Sequence, residues 1–375
     1  MSVDDARRLI ADATAAGVFP SAAAELGVAD GPIWFEPFGR LTFDPDAPAT
    51  THRTLYDLAS LTKPIAVTTI VMGLIRTGTL ALAAPVADWF DEWRGADREA
   101  VTVRDLLEHA SGLPARLVDA PPHSRREFEH DICTIRLEYA PRSRAVYSDL
   151  GFILLGFLVE RAGNASLARQ FERVTRIPSV QLENADAPGR VGELSESRFG
   201  FAIDDVLDFG VRSEAGAWAA PTEPMNVDVR RGRRLIGEVH DNYAAALGGI
   251  AGHAGLFANA SGVGAFARAL LRTLRGDADV PPPFSPSLLR EFLAKSTVPD
   301  SSRALGWDTM LPTSSCGTRM SAQAFGHVGF TGTSLWIDPV RGLYFVLLTN
   351  RVAGGGTLDE MRTVRRAFHD ALGDV

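Results

Sequence analysis

The spacing of apolar positions changes from helical to strand-like and back again along the chain. Val3, Ala6, Leu9, Ile10 and Ala13 share one helical face, Ser2 is a fitting N-cap with Asp5 three residues on, and Gly17 fits the stop. Two short apolar runs follow at 22–28 and 33–38, joined through Asp30-Gly31-Pro32. They predict a hairpin, with Pro37 marking the second strand as an edge or a strand end. From residue 60 to about 161 the period is helical, most clearly over 65–74, 103–109 and 151–162. Breaks fall at Gly78, at Gly112-Leu113-Pro114 and at Ala140-Pro141.

Residues 178–239 are poor in pattern and rich in Gly, Pro and charge, and read as a functional cover rather than a structureless linker. A helix returns over 263–275, and Pro281-Pro282-Pro283 breaks the chain after it. Strands over 333–337 and 343–349 flank the turn Asp338-Pro339-Val340-Arg341-Gly342. The closing helix, 358–372, carries Met361, Val364, Ala367, Phe368 and Ala371 on one side. Strands at both ends with helices between predict an α+β fold. One antiparallel sheet is built from both chain ends and covered by the terminal helices, with a mainly helical domain inserted. The expected division is 1–64 with 240–375 for the sheet domain, and 65–239 for the insertion.

Composition narrows the partners. The 375 residues are 46% hydrophobic and 22% charged, as in a globular chain, and long enough for two cores or one with an insertion. A net charge of -8 argues against nucleic acid, and the one basic run, Arg230, Arg231, Arg233 and Arg234, reads as a solvated loop. Cys133 and Cys316 cannot make a disulfide framework and read as free thiols. The first residues show no signal pattern and the apolar runs are too short for a bilayer, so the expectation is a cytoplasmic protein without a membrane partner. Lysine occurs only at Lys63 and Lys295, so all but two of the 38 basic residues are arginine. A retained lysine then invites a chemical reason, because lysine can be made neutral and arginine cannot.

Three short motifs carry the candidate chemistry. In Ser60-Leu61-Thr62-Lys63, a helical turn would bring the hydroxyl and the amine together. Pro64 places Ser60 near the helix start, where the dipole and partial burial both push Lys63 toward the neutral amine of a general base. Tyr147-Ser148-Asp149 opens the helix over 151–162; the tyrosine could relay a proton, its phenol pulled down by the lysine charge, or simply cap the helix. In His327-Val328-Gly329-Phe330, a strand would turn His327 and Gly329 to one face, and the glycine would let a substrate lie against the backbone. The N–H of Phe330 could then join that of Ser60 as an oxyanion hole.

The ordered motifs identify a resemblance to the penicillin-recognising serine hydrolases, in the branch of class C β-lactamases, their esterase relatives and D-aminopeptidases. It covers about 55–161 and 242–372. It includes Gly78-Thr79-Leu80, Pro85-Val86, the stretch from Val103-Arg104-Asp105 to Gly112-Leu113-Pro114, and Gly248-Gly249-Ile250-Ala251-Gly252. The resemblance implies Ser60 as acylated nucleophile, Lys63 as base and Tyr147 as its partner, without cofactor or metal. Two positions depart from the pattern. Asp149 stands where many relatives carry asparagine and could hold Lys63 protonated. His327 stands where β-lactamases and penicillin-binding proteins carry a lysine for the substrate carboxylate, and a His-x-Gly form is common in the family's esterases and amidases.

His240, Asp241, Asn242 and His253 are candidate substrate contacts, against a plain loop role. His109 reads as a fold-organising residue, and the histidines lack metal-ligand spacing. The expectation is therefore a serine hydrolase acting on a small ester or amide, carboxylesterase-like first. A β-lactamase or D-amino-acid peptidase stands second. Asp149 keeps a third reading open, a catalytically idle relative that binds a ligand or partner through the same cleft. The sequence assigns no oligomeric state.

Overall fold

The opening apolar stripe becomes α1 (Val3–Ala15), with the Ser2 hydroxyl accepting from the Asp5 N–H and Ala6, Ile10 and Ala13 turned inward. The structure is a computed structural model describing residues 2–117, 121–175, 206–209, 218–278, 280, 283–373 and 375. The hairpin follows as β1 (Ser21–Val28) and β2 (Gly31–Gly39), and β2 lies at a sheet edge, where Pro37 is tolerated. Next come β3 (Tyr56–Asp57), α2 (Thr69–Arg76), α3 (Val103–Leu107), α4 (Arg125–Thr134), α5 (Asp149–Gly163) and α6 (Leu167–Thr175). Then β4 (Leu207–Phe209), α7 (Asn242–Ala246), β5 (Leu256–Ala258), α8 (Ala260–Arg275) and α9 (Pro286–Leu293) lead back to the sheet. Its last strands are β6 (Asp308–Thr309), β7 (Phe325–Val328), β8 (Ser334–Asp338) and β9 (Leu343–Thr349), followed by α10 (Leu358–Ala371).

The main sheet is antiparallel throughout, in the order β2-β1-β9-β8-β7-β6. Strand β1 from one end of the chain pairs with β9 from the other, Ala22 opposite Thr349 and Val28 opposite Leu343. This is the α+β architecture expected from strands at both ends and helices between. Alternate residues separate into two cores, as strand geometry demands. Phe345, Leu347 and Trp336 meet α1 and α10 on one face. Tyr344, Val346, Leu348, Leu335 and Ile337 meet the helical body on the other. Both faces are covered, which is why β9 is buried along its whole length.

Some elements differ from the pattern. The helix expected over 65–74 begins as a 3₁₀ turn (Ala59–Leu61), widens to a π turn over Lys63–Thr68, and becomes α-helical only at Thr69. Pro64 contributes no N–H to the first turn, and the Thr68 hydroxyl donates to the Lys63 carbonyl instead. The run Ala59–Arg76 is apolar and long enough to cross a bilayer, but most of it is core. The helix over 103–109 stops at Leu107, and His109 takes a left-handed conformation, φ 57°. Of the expected cover, 178–205 and 210–217 lie outside the described residues, as do Pro281 and Pro282. The basic run is not simply solvated: Arg230 grips Asp228 and the Val239 and His240 carbonyls, Arg233 pairs with Glu238, and Arg234 with Asp44 and Glu223. The buried side of α10 takes in Arg365 and His369, leaving Val364 and Ala367 half-buried.

The buried Asn350 closes the sheet at the end of β9. Its amide donates to the Leu41 and Pro221 carbonyls, both at 2.9 Å, and its oxygen accepts the Ser21 N–H at 3.1 Å. Asn350→Ala strands these backbone groups without water. The expected loss is about 2–4 kcal/mol, read as a lower urea midpoint with an unchanged m-value.

Candidate active site

Ser60 sits where β3 turns sharply into the helical body. The residue before it, Ala59, has φ 46°, a left-handed conformation unusual for a residue with a side chain. The turn is held by the buried Asp57 carboxylate, which accepts the Ala59 N–H at 2.8 Å and the His240 N–H at 2.6 Å. From the sheet side, the Thr331 hydroxyl donates to the Asp57 carbonyl at 2.7 Å and the Thr333 hydroxyl to the Leu58 carbonyl at 3.0 Å. Gly329 permits this approach, since a Cβ there would lie 2.4 Å from the Leu58 oxygen.

Lys63 is fully buried, and its ammonium faces four oxygens. Ser60 Oγ is at 3.0 Å, Tyr147 OH at 2.6 Å, Asp149 Oδ1 at 2.8 Å and the His253 carbonyl at 3.3 Å. Burial alone would favour the neutral amine, but the charge of Asp149 and the contact with Tyr147 outweigh it, and the Lys63 pKa is raised. The expected push toward neutrality is thus reversed at rest by the aspartate. The phenol also departs from expectation: burial pushes the Tyr147 pKa up despite the neighbouring lysine. The helix start that presents Asp149 is capped by Ser148, whose hydroxyl accepts the Gly151 N–H.

A chain of charges continues from Asp149. Arg116 donates to Asp149 Oδ2 at 2.9 Å, to Asp241 Oδ2 at 3.0 Å and to Asn242 Oδ1 at 2.9 Å, and lies 4.0 Å from the centre of the Tyr243 ring. His253 Nε2 donates to Asp241 Oδ1 at 2.7 Å. Burial opposes the Asp241 charge, yet His253 and Arg116 hold its carboxyl well below the usual range. Asp149, Asp241 and His253 bring ligand atoms within 4.8 Å of one another. The Arg116 and Lys63 cations already satisfy these carboxylates, so the arrangement suits an internal salt network rather than a metal.

The other wall is built by β7 and the loop after it. His327 Nδ1 donates to the Val328 carbonyl at 2.9 Å, which leaves Nε2 as a bare acceptor, buried and unpartnered among the described residues. Burial, with Arg303 and Lys63 nearby, holds its pKa well below 6.5, so the ring is neutral. The Phe330 ring is exposed and stacks on His240 at 5.7 Å between centroids, while the Phe330 N–H has no acceptor among the described residues. His240 is neutral as well, its pKa lowered to about 4 chiefly by burial.

A cleft of about 480 Å³ opens between these walls, lined by Ser60, Tyr147, Asp149, His240, Asp241, His253, His327, Gly329 and Phe330. Asn242 is the exception among the expected contacts; it starts α7 behind the wall and holds Arg116. His109 packs against Tyr147 at 4.7 Å, and its Nδ1 accepts the Ser148 N–H, which positions the tyrosine. Arg116 and Arg303, both on the cleft, had no motif to reveal them. The only signal for Arg116 was its place just after Gly112-Leu113-Pro114.

The sequence model of the Beta-lactamase family matches residues 6–369. A protein of Escherichia coli K12 described as "Putative D-alanyl-D-alanine carboxypeptidase" is 30% identical over 338 residues, 84% of this chain and 72% of its own length. An N-acetylmuramyl-L-alanine amidase of Bacillus subtilis is 30% identical over 324 residues, 80% of this chain and 68% of its own. Among solved structures, EstCE1, a hydrolase with promiscuous acyltransferase activity, superposes with a TM-score of 0.72 at 17% identity, covering 98% of each chain. A class C beta-lactamase from Rhodobacter sphaeroides gives 0.71 at 18% identity, again covering 98% of each.

Asp57 makes the turn before Ser60 sensitive to pH. Burial raises its pKa from 3.8 to about 6 against the pull of the His240 and Ala59 N–H groups. The folded state therefore binds the extra proton between about pH 4 and 6, and this group's contribution to stability falls as pH rises through that window. The cost at neutral pH is roughly 3 kcal/mol. Asp57→Asn is expected to flatten that part of the stability–pH curve in urea titrations from pH 4 to 7; an unchanged slope would refute the assignment.

Proposed function

Since the chain belongs to the class C β-lactamase-like serine hydrolases, the branch that includes esterases, amidases and carboxypeptidases, we propose that it cleaves a small ester or amide through an acyl-enzyme on Ser60. The observation that carries this reading is the buried Lys63 ammonium, 3.0 Å from Ser60 Oγ and 2.6 Å from Tyr147 OH, two groups that line an open cleft. Lys63 and Tyr147 act as one titrating pair that must lose a proton before it can accept one from serine. Ser60 Oγ then attacks the substrate carbonyl, and its proton passes to the pair. The N–H groups of Ser60 and Phe330 stabilise the oxyanion. Collapse breaks the bond to the alcohol or amine, which leaves with that proton. Water attacks the acyl carbon next, giving its proton to the pair, and the acid departs as Ser60 is restored.

The neutral His327 favours an ester or amide without a carboxylate beside the reacting bond, because its bare Nε2 attracts a donor and offers an anion nothing. One observation supports a peptidase as second reading. Arg303 lines the cleft 5.2 Å from the Tyr147 ring centre, and its guanidinium makes no hydrogen bond among the described residues, with Asp308 only at 4.0 Å. It could take the carboxylate of a D-amino-acid peptide, the kind of substrate named for the carboxypeptidase relative.

With p-nitrophenyl butyrate, wild type is expected to release p-nitrophenol and folded Ser60→Ala to lose at least about 10³-fold in kcat/KM. Full activity in Ser60→Ala would sink the reading. Turnover of D-alanyl peptides but not of the ester would favour the second reading, and no labelling by an acylating probe would favour an idle relative. Asp149 raises the Lys63 pKa, so Asp149→Asn should move the rising limb of the kcat/KM–pH profile to lower pH; a limb that stays in place would exclude Lys63 from the base pair.

A further inference from the structure

Two arginines stand behind the loop that carries the Phe330 N–H, and neither has a carboxylate partner among the described residues. Arg365, on α10, is buried and donates to the Gly329 carbonyl at 2.5 Å and the Thr333 carbonyl at 2.9 Å. Arg351 donates to the Phe330 carbonyl at 2.6 Å and the Gly356 carbonyl at 3.1 Å. Burial lowers the Arg365 pKa to about 9, helped by repulsion from Arg351 and Arg362, which leaves it cationic at neutral pH.

As a purely structural clamp Arg365 makes little sense. The Gly329 carbonyl already accepts the Gly332 N–H at 3.1 Å, and the Thr333 carbonyl already accepts the Gly329 N–H at 2.8 Å. The side chain shares the buried side of α10 with Met361 and Phe368, where an aliphatic residue would pack without bringing an uncompensated charge indoors. What distinguishes its position is the peptide it grips. The Gly329 carbonyl and the Phe330 N–H are the two ends of one amide. A cation donating to the oxygen draws electron density along that amide and strengthens its N–H as a donor.

We infer that Arg365 is a positioning residue that polarises the Gly329–Phe330 peptide, so that the Phe330 N–H holds the reaction's oxyanion more tightly than an ordinary backbone donor would. The inference rests on the Ser60 acyl-enzyme reading above. Arg351 supplies an internal comparison. It grips the next peptide along, whose N–H belongs to Thr331, so it holds the same loop without charging the donor.

The test is isotope-edited infrared spectroscopy of the acyl-enzyme formed from a ¹³C=O p-nitrophenyl ester, with acylation kinetics and melting curves on the same proteins. Arg365→Met is expected to lower kcat/KM about tenfold through kcat, leave KM within twofold, and move the acyl carbonyl stretch to higher frequency. Its melting temperature should not fall, and Arg365→Lys should recover part of the rate. Arg351→Met should leave the stretch near its wild-type position. Wild-type acylation rates and an unmoved stretch in Arg365→Met overturn the inference, as does an equal shift in Arg351→Met, which would make the effect one of loop rigidity. Should Arg365→Met not fold, Arg365→Gln, which removes the charge and keeps a donor, is read by the same stretch: a higher frequency supports polarisation, and an unmoved stretch counts against it. Absence of any acyl-enzyme in wild type would instead overturn the Ser60 reading, and this inference with it.

Discussion

The arrangement turns on burying one ammonium group. Lys63 has no accessible surface, and an isolated charge in that position would lose its proton or unfold its surroundings. It is held by the Asp149 carboxylate, which is itself too buried to stand alone and is shared with Arg116. Arg116 in turn requires Asp241, and Asp241 is bonded to His253, whose carbonyl returns to Lys63. Two cations alternate with two carboxylates around a closed path. That path joins the turn after Ser60, the start of α5, the loop after Pro114, the start of α7 and the loop at 253. Removing any member leaves its neighbours uncompensated, so the charge pattern ties the positions of these segments to one another.

The same pattern sets a chemical condition. A lysine beside a serine is useful as a base only when neutral, and Asp149 keeps this one charged at rest. Burial and the carboxylate act in opposite directions on the proton. Their balance, tuned by how much of the Asp149 charge Arg116 absorbs, decides at what pH the Lys63–Tyr147 pair can work. An asparagine at 149 would leave Arg116 with a single carboxylate, so the departure at 149 and the presence of Arg116 belong to one solution.

Much of this is legible in the sequence, because the features that reveal it are local. Helical and alternating periods mark the terminal helix, both hairpins and the sheet built from the two chain ends. The ordered motifs Ser60-x-x-Lys63, Tyr147-x-Asp149 and His327-x-Gly329, each at a helix start or sheet edge, point to one site. The features that stay hidden depend on long-range partners. Arg116 looks like one arginine among many until Asp149, Asp241 and Asn242 converge on it. Arg365 lies on a helix whose stripe of Met361, Val364 and Phe368 predicts burial of something apolar, and only the folded loop at 329–333 supplies carbonyls for a cation. The raised Lys63 pKa follows the expectation attached to Asp149 rather than the one attached to the helix dipole, and the Tyr147 shift runs opposite to expectation because depth of burial is not visible in sequence.

Seen across the cleft, the site consists of two halves with separate physical origins. In the proposed mechanism the proton-handling groups, Lys63 and Tyr147, belong to the helical body and depend on charge balance. The Phe330 N–H proposed to receive the oxyanion follows the end of β7 and depends on backbone geometry, with Gly329 admitting the close approach. The halves meet at Ser60 and where the Tyr147 ring faces His327, and their spacing is set by a few short bonds: Thr331 and Thr333 onto the carbonyls of Asp57 and Leu58, and the Asp57 carboxylate onto the Ala59 and His240 N–H groups. These bonds lie beneath the cleft rather than on its surface. Residues along the rim, such as Phe330 and Arg303, can therefore change what enters without disturbing the distance between proton acceptor and oxyanion donor. A fold organised in this way can keep one chemical step while its substrates vary.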